Sequence, residues 1–166
     1  MQQAMNSYTS FYFDNIELSH PEDRYIALDY DGSKIEIDID FDTQEIVAAS
    51  ELKKVDDFLS NLKEKELEIR SFITSNFQHA GIVRAYIETY TEEFETYELE
   101  DLVDTENKAV SIEEQLLSKL YIYRIGFYPG NNWFAVFDFH INHEISDQIL
   151  VVIVENDMSY RITWES

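Results

Sequence analysis

Apolar and acidic positions alternate strictly in one stretch of the chain. Ile35, Ile37, Ile39 and Phe41 are interleaved with Glu36, Asp38, Asp40 and Asp42. A period of two puts the apolar set on one face of a strand and the four carboxylates on the other. The strand Ser33–Phe41 follows Arg24–Tyr30 across Asp31-Gly32. That dipeptide predicts a two-residue hairpin, because a type I′ turn needs positive φ at both positions. Tyr8–Leu18 reads as a further strand or hairpin.

The period then lengthens. Leu52, Val55, Phe58, Leu59 and Leu62 fall on one helical stripe, and Ile69, Phe72, Ile73 and Phe77 on a second. Gly81 is placed to end that second helix. Val83, Tyr86, Ile87, Tyr90 and Phe94 form a third stripe, and a short helix is expected around Leu99–Val103. Ser111 with Glu114 fits a capping box, opening a helix that carries Leu116, Leu117 and Leu120. The last third returns to strands: Leu120–Tyr128, then a Pro129-Gly130-Asn131-Asn132 turn, Trp133–Ile141, Gln148–Val154 and Tyr160–Trp164. The run Ile149–Val154 does not alternate, as expected of a central strand covered on both faces. The order predicts an α+β fold. Its antiparallel sheet is built from an N-terminal hairpin and a C-terminal four-strand meander, with a central run of three to four helices packed on it. No βαβ crossover is evident, and one domain, residues 1–166, is the expected organisation.

Composition narrows the function classes. The chain has 166 residues, 45% hydrophobic and 14% aromatic, enough for a core. It has no cysteine, which removes disulfides, a thiol nucleophile and a thiolate metal site. The 34 acidic and 12 basic side chains leave a formal charge of −22. That balance disfavours nucleic acid and anionic membranes, which need Lys and Arg opposite phosphate, and it attracts a basic partner. The N-terminal stretch has no secretory-signal pattern, and the longest apolar run is far too short for a membrane span, so a cytoplasmic location is expected. Only four glycines are present, and no P-loop, dinucleotide-binding pattern or nucleophile elbow is found, so no cofactor is expected.

Several segments look familiar. Arg124-Ile125-Gly126-Phe127-Tyr128-Pro129, Phe134-Ala135-Val136-Phe137-Asp138-Phe139, Ile162-Thr163 and the terminal Glu165-Ser166 resemble a bacterial family catalogued only as a domain of unknown function. Ser111–Leu117 and the general layout of the chain are similar as well. Trp164 departs from the methionine of the family pattern. The resemblance implies a bacterial, cytoplasmic, single-domain α+β protein, and it brings no catalytic residue with it.

The candidate chemistry is sparse. Asp38, Asp40 and Asp42 have the first spacings of a calcium loop, but Thr43 and Ala49 stand where Gly and Glu are required. His140 and His143 lack the spacing of a zinc helix; on a strand they would face opposite ways, and a turn would bring them together with Asp138 or Glu144. Phe137 and Phe139 are expected in the core, while Tyr121, Tyr123 and Trp133 are candidate anchors for a partner. Glu88, Glu92, Glu93, Glu95 and Glu98 begin the densest acidic run, which reaches Glu106 with no basic residue between Arg84 and Lys108. A face that only needs solubility would interleave lysine. The expected function is therefore an acidic, immunity- or inhibitor-like module that binds a basic protein. The alternatives are a metal-dependent hydrolase using His140 and His143, and a protein that binds a small ligand between sheet and helices.

Overall fold

The structure, a computed structural model, describes residues 6–166. A small hairpin, β1 (Ser7–Ser10) and β2 (Asp14–Glu17), precedes the main sheet. That sheet contains β3 (Arg24–Tyr30), β4 (Ser33–Ile39), β5 (Tyr121–Phe127), β6 (Trp133–His140), β7 (Ile149–Glu155) and β8 (Tyr160–Glu165), adjacent in chain order. Between β4 and β5 lie α1 (Ala49–Ser60), α2 (Leu62–Gln78), α3 (Ile82–Glu93), α4 (Thr96–Leu99) and α5 (Ile112–Lys119). The α+β class is as expected from the sequence. None of these helices is long and apolar enough to cross a membrane.

The hairpin turn forms as its residues dictate, with φ of 48° at Asp31 and 77° at Gly32. Ile35, Ile37 and Ile39 face the core together with Ile125, Phe127, Phe137 and Val152 of the neighbouring strands. The helical stripes close over this face: Leu52, Phe58, Ile69, Ile73, Val83 and Ile87 join the same buried cluster. β7 is an interior strand, flanked by β6 and β8. Its run without alternation is explained by burial on both sides. Leu150, Val152 and Val154 face the helices, while Val151 (2% exposed) and Ile153 (9%) are covered on the other face.

Three expectations are corrected. The main sheet is not wholly antiparallel, because β4 and β5 pair in parallel over Glu36–Ile39 and Arg124–Phe127. The helical segment carries the chain back across the inner face, so a crossover does exist, with several helices where a βαβ unit has one. Gly81 does not end α2. His79 closes that helix, Ala80 takes the left-handed conformation (φ 53°), and Gly81 opens α3. A Cβ at Gly81 would lie 2.5 Å from Asn76 Oδ1, the oxygen that caps α3 by accepting from Val83 N at 2.9 Å. The short helix comes earlier than expected, at Thr96–Leu99, with Leu99 and Val103 both buried. The Ser111–Glu114 capping box is present.

The β1–β2 hairpin is tied to α1 by one buried carboxylate. Asp56 accepts from Tyr8 Oη (2.9 Å), Ser10 Oγ (2.6 Å) and Phe11 N (3.0 Å).

Candidate functional site: a cavity where two strands part

The parallel pairing of β4 and β5 begins only at Glu36 and Arg124. Before that point Ser33–Ile35 and Tyr121–Tyr123 separate around a cavity of about 540 Å³. Alongside it, the pairing of β5 with β6 shifts register between Ile122 and Arg124. Ile122 turns into the core and Arg124 reaches the outer sheet face, leaving Tyr123 as the extra residue of a bulge, half-exposed at the cavity wall. A cavity of this size lies within the range of roughly 300–1,000 Å³ typical of small-molecule sites.

Its floor comes from α2. Glu66, only 8% exposed, accepts from Arg70 Nε at 2.8 Å and from the Tyr30 hydroxyl. A buried carboxylate needs such compensation. Arg70 also donates from Nη1 to Leu120 O at 2.9 Å, which fixes the start of β5, and its head lies 5.7 Å from the Phe139 ring. Burial and the Glu66 carboxylate hold the Tyr30 phenol well above its ordinary range. On the rim, Lys34 pairs with Asp29 at 3.1 Å and Lys63 with Asp31. Glu36, also in the wall, is in no ion pair among the described residues.

Beside the cavity stands a cluster of four rings. β6 ends at His140, and the following turn swings His143 back, so the two imidazoles lie 6.1 Å apart, centroid to centroid. The Tyr123 ring is 4.8 Å from His140 and 5.2 Å from His143, and the Tyr121 hydroxyl meets His143 Nδ1. His140 is 5% exposed and its Nδ1 has no partner among the described residues. Burial, and then the proximity of His143, pull its pKa below the ordinary histidine value. Burial pushes the Tyr121 phenol up. The two histidines converge as a pair: among the described residues no group of three His, Cys, Asp or Glu side chains is placed to hold a metal ion. Asp138, one candidate third ligand, is bound to Arg124.

That arginine is a feature the sequence reading missed. On the outer sheet face Arg124 makes two contacts with Asp38, Nε–Oδ1 at 2.7 Å and Nη2–Oδ2 at 2.8 Å. It also donates to Asp138 Oδ2 and to the Tyr128 hydroxyl, both at 3.2 Å. The alternation puts Asp38 on the face opposite the apolar set; only the β4–β5 pairing, bridging residues 86 apart, brings it to Arg124. The head lies over Gly126, where a Cβ would come 2.7 Å from Nη2 and 3.0 Å from the Tyr128 hydroxyl. Its carboxylate and phenol partners outweigh burial and hold the guanidinium charged. Burial raises Asp138 even though Arg124 opposes the shift.

The remaining candidates are dispersed. Tyr121 and Tyr123 share the cavity wall. Trp133 is at the opposite end of β6, beside Tyr128 at 6.2 Å, with its buried Nε1 unpartnered among the described residues. Glu92, Glu93, Glu95 and Glu98 are exposed on α3, α4 and their connection, and Glu88 is half-buried. None of these five is in an ion pair among the described residues, although Glu98 accepts from Glu95 N at 2.7 Å and so caps α4. Tyr97, a residue that sequence reasoning did not single out, is 70% exposed in their midst. In comparisons with known proteins, no family model, no curated protein and no solved structure matches the chain.

Proposed function

We propose that the chain is an acidic protein-binding module, immunity- or inhibitor-like, that engages a basic partner in the bacterial cytoplasm. One observation carries this reading: the carboxylates that begin the run at Glu88 are exposed or half-exposed on the helical layer, with no cation paired to them among the described residues, and the exposed ring of Tyr97 lies between Glu95 and Glu98 in the chain. An uncompensated field of one sign steers an oppositely charged protein toward it. An aromatic ring in the centre of such a field supplies the desolvated contact that slows dissociation. The family resemblance of the sequence supports the bacterial, cytoplasmic setting.

The experiment is capture of partners from bacterial lysate on the tagged chain, at low and at high salt. A control chain carries Glu92→Lys, Glu93→Lys, Glu100→Lys and Asp101→Lys, four exposed positions without a described side-chain hydrogen bond. A basic protein held by the parent chain at low salt, weakened at high salt and lost from the control is the expected result. Equal retention of every captured protein by parent and control at low salt would refute the reading.

A further inference from the structure

Among the described residues, one charge in the wall of the cavity between β4 and β5, the exposed carboxylate of Glu36, has no counterpart. Glu66 is tied to Arg70 and Tyr30, Asp31 to Lys63, and Lys34 to Asp29. Glu36 has no such cation among the described residues. Its register partner across the join is Arg124, whose guanidinium is committed to Asp38, Asp138 and Tyr128. Burial and Glu36 itself push the phenol of its neighbour Tyr25 up.

Much of the rest of the wall is aromatic, beside Ala27, Ser33, Ile35 and Ile122. Tyr25, Tyr30, Tyr121, Tyr123 and His143 all line the cavity. They offer electron-rich ring faces and, from the tyrosines, hydroxyl oxygens. Ring faces attract cations through their quadrupole, and the attraction grows when water is excluded. An anion would meet a poor site. Arg70 already spends Nε and Nη1 on Glu66 and Leu120, and the chain as a whole carries −22.

We propose that this cavity binds an organic cation, an alkylammonium or guanidinium head group, with Glu36 as its counter-charge and Tyr25, Tyr121 and Tyr123 as its ring faces. The proposal is independent of the acidic helical surface. The head group has two possible sources, a free small ammonium compound or an Arg or Lys side chain of another protein.

The test is NMR titration of the full chain at constant ionic strength, following the ring signals of Tyr123 and His143. The probes are tetramethylammonium chloride, Nα-acetyl-arginine methylamide and, as an uncharged analogue, tert-butanol. Saturable shifts with at least one cation and none with tert-butanol are expected. Glu36→Gln should weaken the response about tenfold and Tyr123→Leu should weaken it further, both with an otherwise unchanged amide spectrum. The four-lysine control of the helical face should titrate like the parent, so failure of one proposal is distinguishable from failure of the other. Tighter binding of the capped arginine assigns the site to a protein side chain, and tighter binding of tetramethylammonium to a free ligand. Absence of saturation with both cations, an equal response to tert-butanol, or undiminished affinity in Glu36→Gln would each overturn the proposal.

Discussion

Arg124 grips Asp38 at two points across the parallel join of β4 and β5, at 2.7 and 2.8 Å. The pair clamps two segments that lie far apart in the chain, and it is mostly shielded from water. Two-point geometry of this kind is the stronger form of ion pair.

Arg124→Met should therefore destabilise the protein by about 2–4 kcal/mol at neutral pH, because Asp38 and Asp138 are left half-buried and face to face. Asp138 is already raised by burial, and loss of Arg124 would raise it further. A carboxylate whose folded pKa is raised favours the fold below its unfolded pKa and loses that contribution as pH rises through the folded value. The deficit of Arg124→Met should shrink on acidification through the carboxylate range. Urea unfolding of both proteins at several pH values measures it.

Gly126→Ala tests the same centre from below. The added methyl would displace the tethered Arg124 head, at a cost of about 1–3 kcal/mol. In the Arg124→Met background the closest of these obstructions is relieved, while the Tyr128 hydroxyl remains. A double-mutant cycle should then show a coupling of about 1 kcal/mol or more, and strict additivity would contradict the packing described.

His140 gives the protein a dependence on pH of the opposite sign. Its folded pKa lies below the ordinary value, so the folded state binds fewer protons than the unfolded chain. This contribution to stability is fully present above the unfolded pKa and is lost as pH falls through the ordinary histidine range toward the folded value. His140→Phe should flatten stability between neutral pH and mildly acidic conditions. His143→Ala should move the His140 ring titration upward, toward the ordinary value, in an NMR pH series.

Asp56→Ala should release the β1–β2 hairpin. Three hydrogen bonds to one buried carboxylate are lost, and about 2–4 kcal/mol with them. Amide exchange should accelerate in Ser7–Glu17 far more than in β6 or β7. The Tyr8 phenol, which burial and Asp56 push up to about 12, should titrate nearer its ordinary value.

The legible parts of the fold are those written in local periods. The alternation of Ile35, Ile37 and Ile39, the Asp31-Gly32 turn and the Ser111–Glu114 cap each depend on residues a few positions apart, and each is found where the sequence puts it. Gly81 was misread because glycine composition alone cannot tell the end of one helix from the start of the next; the Asn76 side chain, packed against it, decides. The parallel pairing leaves no local trace, so the Arg124–Asp38 contact was invisible. His140 and His143 meet because β6 stops at the first of them, a boundary that periodicity does not fix. The cavity wall includes a bulged residue, Tyr123, in a strand that otherwise reads as regular.

The β4–β5 join also shapes how the molecule comes together. The β3–β4 hairpin and the β5–β8 meander are each built from contacts close in sequence, and such pieces assemble fast. The four residue pairs of the join carry the closure entropy of the long helical excursion between them. The sheet thus has a seam, expected to zip late in folding and to open first under stress. Protection of the Glu36–Ile39 amides should fall at lower denaturant than that of β7. The cavity lies at the unsewn end of this seam, where a bound guest would act as an extra stitch.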